Sequence, residues 1–406
     1  MRISTSNIFD IGTAAIVRGQ AEMMKTQQQL SSGRRLNSPS DDPVAASEAL
    51  RLRQADSLNA QYQKNQQTAM GSLTQVESTL SDVTSLLQDV RAATVAAGNT
   101  SLSDLDRQSI AQDIAGRLEQ LIGYANATDG KGSYLFGGYS DTAPPFSKTI
   151  SAGGLTVQYT GDQGGRALQV SETRAIDLSV NGSSVFERVT AGNGTFTTAA
   201  DASNTGTGLI STGQVTDTSA LVQGHSYQIQ FTGTGTTFDV VDTTTATTIV
   251  SGQAYVDGAA ITSVPGMQFD ISGTPDVGDV FDIEPATSQS IFDTLQNLVN
   301  VLNTPVAGAA ERTMLTSNVG IALLNLDNAL NNILATRATM GARMNEIQSL
   351  QASMSDQDTS LKTALSEIED VDYASAISQL SKQQLILEAA QKSFVSVSNL
   401  SIFNYM

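Results

Sequence analysis

The chain has one histidine, His225, and no cysteine. An imidazole beside a carboxylate and a hydroxyl can run nucleophilic catalysis, and an imidazole with thiolates or further histidines can hold zinc. Neither set assembles around His225 in the sequence. No second ligand stands at metal spacing, and no nucleophile-elbow pattern accompanies it. Gly130-Lys131-Gly132-Ser133 has the outline of a phosphate loop, but the glycine that pattern needs five residues earlier is Ala125. Asp239, Asp242, Asp257, Asp270, Asp276, Asp279 and Asp282 could meet a calcium ion, yet no complete EF-hand loop is written there. Asn181-Gly182-Ser183 and Asn193-Gly194-Thr195 are glycosylation sequons by pattern alone. The polar residues converge at no catalytic spacing. The expectation is a protein that builds: no enzyme, no cofactor, no metal.

Charge points the same way. The chain has 406 residues and a formal net charge of −18, the opposite of what a phosphate-binding surface requires. No Lys or Arg lies between Arg188 and Arg312, whereas the first 35 residues carry Arg2, Arg18, Lys25, Arg34 and Arg35. An acidic middle belongs in water, and low-charge ends are free to pack. Without cysteine there is no disulfide frame. No apolar run approaches the roughly 18–20 residues of a membrane span, so no membrane insertion is expected. The first residues lack the apolar stretch of a cleavable secretory signal; an exported protein of this kind would need another route.

The elements that must carry these residues fall into ends and middle. Ile3, Ile8, Ile11, Ile16, Met23 and Leu30 form a thin stripe over residues 1–36 that is helical only with a partner. Gly33 and Pro39 break it. Asp41-Asp42-Pro43 then reads as a helix start, with Asp42 as N-cap and Pro43 in the first turn. A helix of about 50 residues, on the order of 75 Å, should follow. Its seam runs Ala69, Leu73, Val76, Leu80, Val83, Leu87, Val90, and Gly98-Asn99 should end it. Ser103 and Asp106 open a second helix with a capping box. From Pro145 to Pro285 the apolar period is two, as in Tyr227–Phe231 and Asp279–Ile283, which predicts antiparallel strands. Residues 191–220, rich in Thr, Gly, Ala and Ser, read as a surface loop. Helix returns at Ser290–Leu302 and again near Ala309, with seam residues Leu323, Leu326, Leu330 and Ile333, Arg337 filling one position, and a stutter after Ile347. A break at Asp370–Asp372 precedes a last helix with Ile377, Leu380, Leu387 and Phe394. The chain closes on Leu400, Ile402, Phe403 and Tyr405. The predicted class is α+β and multidomain: a long helical coiled-coil bundle from both chain ends, with an inserted antiparallel β-rich domain.

Four stretches resemble bacterial flagellin-type axial proteins, and within them the hook-associated protein 3 family of the hook–filament junction. They are Met1–Thr5, Leu30–Pro43 with Gly33 and Asp41-Asp42-Pro43, Tyr134–Gly138, and Asn399–Tyr405. The resemblance implies a terminal domain of residues 1–40 plus 373–406, disordered in the monomer and paired in the assembled tube. It implies a rod of 41–140 plus 286–372 and an outer domain of 141–285. It also implies hook-associated protein 1 and flagellin as partners, the chain's own copies in a ring, a flagellar export chaperone, and type III export to the outside of the cell. Subunit contacts are expected at Ile3, Ile8, Ile11, Ile377, Leu380, Leu387, Phe394, Leu400, Ile402, Phe403 and Tyr405, because terminal segments alone bury too little to offset about 1–2 kcal/mol of backbone entropy per residue. Two other readings stand beside this one: a filament-forming flagellin, and a helical stalk presenting the β insertion for surface recognition.

Overall fold

The computed structural model describes residues 5–151, 154–233 and 235–399. Six α-helices flank a strand-rich middle: α1 (Thr5–Ser32), α2 (Pro43–Ala97), α3 (Asp104–Ala125), α4 (Ile291–Asn303), α5 (Ala309–Glu369) and α6 (Tyr373–Asn399). Each end signal read from the sequence acts as expected. Asp42 accepts from the amides of Val44 (3.2 Å) and Ala45 (3.0 Å) in the first turn of α2, and Ser103 and Asp106 form a reciprocal capping box on α3. Ser290 caps α4 through the Phe292 and Asp293 amides.

The chain divides into two compact units, residues 1–66 with 349–406, and residues 67–348. The helices break near 33–42 and 370–372, where the sequence breaks, but the units divide within α2 and α5. Packing, rather than chain interruption, sets that boundary. The second unit holds nearly all of the apolar core: among the described residues, only Ala49 and Ala376 of the first unit are fully buried apolar side chains.

In the second unit, Leu73, Val76, Leu80, Val83, Leu87 and Val90 of α2 are all buried. The α5 side of the seam differs from expectation. Leu315, Val319, Ala322, Leu326, Ala329, Ile333, Met340 and Ile347 are buried, while Leu323 and Leu330 are only half-buried beside them. The small alanines occupy the buried stripe, and the leucines one position on lie at its edge. With this phase the heptad continues through Met354, Leu361 and Ile368, all half-buried in an unbroken α5, so no stutter exists. Arg337 is half-buried, its guanidinium 2.7 Å from Glu77.

The middle contains β1 (Phe146–Ser151), β2 (Gly154–Tyr159), β3 (Ala167–Gln169), β4 (Ala175–Asp177), β5 (Val189–Thr190), β6 (Phe196–Ala200), β7 (Leu209–Ile210) and β8 (Gln214–Val215). It continues with β9 (Tyr227–Thr232), β10 (Thr237–Asp242), β11 (Thr247–Ala254), β12 (Ala260–Ile261), β13 (Met267–Ser272), β14 (Val280–Pro285) and β15 (Ser288–Gln289). Strands β11-β10-β9-β14-β6 form one antiparallel sheet, and β12-β13-β7 another, with β8 also on β13. Between them lies a core that includes Phe196, Ile229, Phe231, Phe238, Phe269 and Phe281. Residues 191–220 are therefore not a plain surface loop: Phe196 and Ile210 reach this core from short strands. One or two apolar residues on each very short strand are too sparse a pattern to stand out among Thr and Gly. Phe136, Phe146, Phe186 and Phe292 make a separate ring cluster beside α4, where a π-helical turn spans Ser183–Glu187.

Candidate assembly surfaces

The first surface is built where α1 gives way to α2. Gly33 takes φ +70°, which a side chain disfavours, with the Tyr373 hydroxyl 3.0 Å from where a Cβ would stand. The two adjacent aspartates do different work. Asp42 caps α2, and Pro43 enters the first turn without a missed hydrogen bond. Asp41 pins the turn before it, accepting from the Asn37 and Ser38 amides and pairing with Lys25 at 3.0 Å. Lys25 and the Ser38 amide hold the Asp41 carboxyl below the usual carboxylate range. The break between α5 and α6 is zipped onto this turn. The Arg35 amide donates to Glu369 O at 2.6 Å, the Val371 amide to Gly33 O at 3.0 Å, and the Arg35 guanidinium to Ile368 O at 2.7 Å. Buried Glu369 pairs with Arg53 at 2.6 Å. Beside them lies a groove of about 480 Å³ between Leu36, Pro39, Pro43, Ala46 and Leu50.

The second surface is the pair α1 and α6, which run antiparallel. On α1 the inward positions are Phe9, Gly12, Ile16, Gly19, Met23 and Thr26; on α6 they are Ala376, Leu380, Gln383, Leu387, Ala390 and Phe394. Both follow alternating steps of three and four, a heptad seam. Large residues meet glycines: a Cβ on Gly12 would lie 2.8 Å from the Phe394 ring, and one on Gly19 would lie 3.6 Å from Leu387. Phe9 meets Phe394 edge to face at 5.7 Å. Leu380, Leu387 and Phe394, expected at subunit contacts, thus pack within the chain in this structure. Ile11 (62 % exposed) and Ile377 (54 %) point outward, with Val17, Met24, Leu385, Ile386 and Val395. Ile3, Leu400, Ile402, Phe403 and Tyr405 lie outside the described residues, as does the Ile8 side chain.

A third set escaped the sequence reading. Asn325, Asn328 and Asn332 line one face of α5, and their amides bind main chain of the irregular segment before β5 and after it. Asn325 Oδ1 accepts from Gly192 N; Asn328 donates to Thr190 O and Gly192 O; Asn332 donates to Ser184 O and Val185 O. The signal was present as asparagines at helix-face spacing, but they looked like solvated polar positions.

The residues first weighed for chemistry have local duties. His225 Nδ1 is 2.6 Å from Asp242, whose other oxygen accepts from the Thr244 and Thr245 amides, so the pair closes the β10 turn. Asp129 fills the would-be phosphate loop, accepting from the Lys131 and Ser133 amides. Asp201, Asp217, Asp257 and Asp279 each bind nearby amides. Asn193 spends its side-chain amide on Thr212 O and Gly213 O. Among the described residues no three metal-binding groups converge.

Known proteins share these helical ends. The bacterial flagellin N-terminal helical region matches residues 3–141, and the flagellin C-terminal helical region matches residues 323–406. Flagellar hook-associated protein 3 of Salmonella typhimurium is 29% identical over 404 residues, 99% of each chain. The crystal structure of Xanthomonas campestris FlgL superposes with a TM-score of 0.71 at 30% identity, over 78% of this chain and 99% of that one. The flagellar junction protein FlgL of Legionella pneumophila gives 0.71 at 29%, over 80% and 100%. With both helical ends, the strand-rich insertion and the full length in common, the chain belongs to the flagellar hook-associated protein 3 family, structural proteins of the junction between flagellar hook and filament.

Proposed function

We propose that the protein is a non-catalytic junction subunit whose terminal helices become ordered by assembly, joining hook-associated protein 1 on one side to flagellin on the other. Copies of the chain would form a ring, and the ends would be kept apart before export by a flagellar chaperone. Export would follow the flagellum's own type III route to the cell exterior without cleavage of a signal peptide. One observation carries this reading. Among its described residues the first unit buries almost no apolar side chain, yet α1 and α6 expose Ile11, Val17, Met24, Ile377, Leu385, Ile386 and Val395 around the pair. A helix that is apolar on several sides belongs inside a larger assembly. Alone, it gains too little to offset chain entropy. The domain partition at 40 and 373 follows from the same reading, since those are the ends that would order together.

The test is the abundance of the protein in sheared, purified flagella by quantitative mass spectrometry. The expected result is a small amount, constant per flagellum whatever the filament length. Abundance that scales with filament length would make it a filament subunit, and absence from flagella would remove the junction role.

A further inference from the structure

The asparagines of α5 show how this rod binds an irregular strand, and the same face continues past the strand it holds. Asn318, Asn325 and Asn332 are spaced by seven residues, one helix face apart by two turns each. The latter two grip the main chain between Ser184 and Gly192. Asn318 is half-buried, and it and exposed Asn297 of α4 have no hydrogen-bond partner for their amides among the described residues. Both amides open into a hollow of about 350 Å³ between α4 and α5, floored by Leu298 and Ile321. A second hollow, of about 250 Å³, shares Gln289, Ile321 and Asn325 with it and runs on toward β6. In a chain of net charge −18, no residue lining either hollow is charged and none is aromatic.

We propose that this amide-lined groove receives an extended, uncharged polypeptide segment from a neighbouring subunit of the axial assembly, its main chain bound by Asn318 and Asn297 as Asn325, Asn328 and Asn332 bind residues 184–192 within the chain. A side-chain amide offers a donor and an acceptor that match the carbonyl and N–H of an extended backbone. The absence of charge rules out recognition of phosphate, carboxylate or basic peptide as the main attraction, because an ion brought here would lose water without gaining a counter-charge. A sugar would find no ring on which to stack. The hollows together fall within the size range of binding clefts, roughly 300–1,000 Å³, and an apolar floor under two polar rims suits a strand with small alternate side chains. The inference rests on the junction reading only in placing the partner within the flagellum.

The test uses the full-length protein in the cell, with a photoreactive amino acid at exposed Asn300 and, separately, at half-buried Leu324, which line the hollows but are not the amides assigned to the bound main chain. Flagella are purified first and the variant quantified in them, which checks the junction reading by itself. Illumination should then give a cross-linked band at both positions, present in flagella and absent from dilute monomer, and its peptide should be an uncharged stretch of an axial protein. Normal incorporation with no intermolecular cross-link at either position overturns the groove and leaves the junction reading standing. So does a cross-link to a charged segment or to a glycan. Absence of both variants from flagella that lack neither hook nor filament removes the partner and the proposal with it.

Discussion

Asp293 occupies the first turn of α4, beneath the Ser290 cap, and faces Glu187 of the π-helical turn. Burial, and secondarily the Glu187 charge, hold its carboxyl above the usual carboxylate range. The neutral form is therefore the one the fold prefers. Its contribution is complete below the unfolded-state value and is lost as pH rises through the raised folded-state value. At neutral pH the ionised carboxylate opposes folding. Asp293→Asn should raise the thermal midpoint at pH 7 by on the order of 1 °C, and the gain should vanish as pH falls toward 4. A scan of Tm against pH for both proteins checks this; a gap that persists at pH 4 would mean the effect lies in packing. Asp41 has the opposite sign. Its carboxyl is lowered by Lys25 and Ser38, so the turn before α2 is held at neutral pH and loosens only in strong acid.

At the scale of elements, the α1–α6 seam depends on glycine where a heptad would ordinarily place a large residue. Gly12→Val would put methyl groups where the Phe394 ring already stands; overpacking of this kind costs about 1–3 kcal/mol. The expected outcome is at least several-fold less protein in purified flagella, with unchanged melting of the second unit. Gly71→Ala is the matched control: nothing lies within 4 Å of its Cβ position, and alanine favours the helix. Equal incorporation of Gly12→Val and wild type would show that the pair need not form. The apolar stripes of α2 and α5 in the second unit separate what was legible in the sequence from what was not. Leu73 to Val90 were legible because every inward position is large and apolar. On α5 the inward residues are the small Ala322 and Ala329, and the bulkier Leu323 and Leu330 beside them carry the stronger apolar pattern one position off, which produces an apparent stutter. The caps at Asp42 and Ser103 were legible because their chemistry is local. The strands between Phe196 and Val215 were not, since each is very short and offers only one or two apolar residues to a core assembled from distant segments. The Asn325, Asn328 and Asn332 contacts were not, because an asparagine that binds main chain looks in sequence like one that binds water.

At the scale of the whole chain, burial is divided unevenly. The second unit carries the leucine seam, the ring cluster and the strand core; among the described residues the first carries Ala49 and Ala376. Amide exchange follows such differences. In the free protein, amides of 9–66 and 349–396 should exchange many-fold faster than those of 69–97 and 315–347, and they should become protected in flagella. Equal protection in both states would mean the ends are already folded before assembly. The strand core is held differently again. Its turns are fastened by aspartates, with Asp239 binding the Gly252 amide at 2.7 Å and Asp257 binding that of Gly273 at 2.7 Å. No lysine or arginine shares this task between Arg188 and Arg312. Trypsin cuts only after those two residues, so it has no site in that interval, folded or unfolded. A digest will release Val189 to Arg312 as one long acidic fragment. Peptides for counting this protein must come from its helical ends, or from a protease that cuts at aspartate.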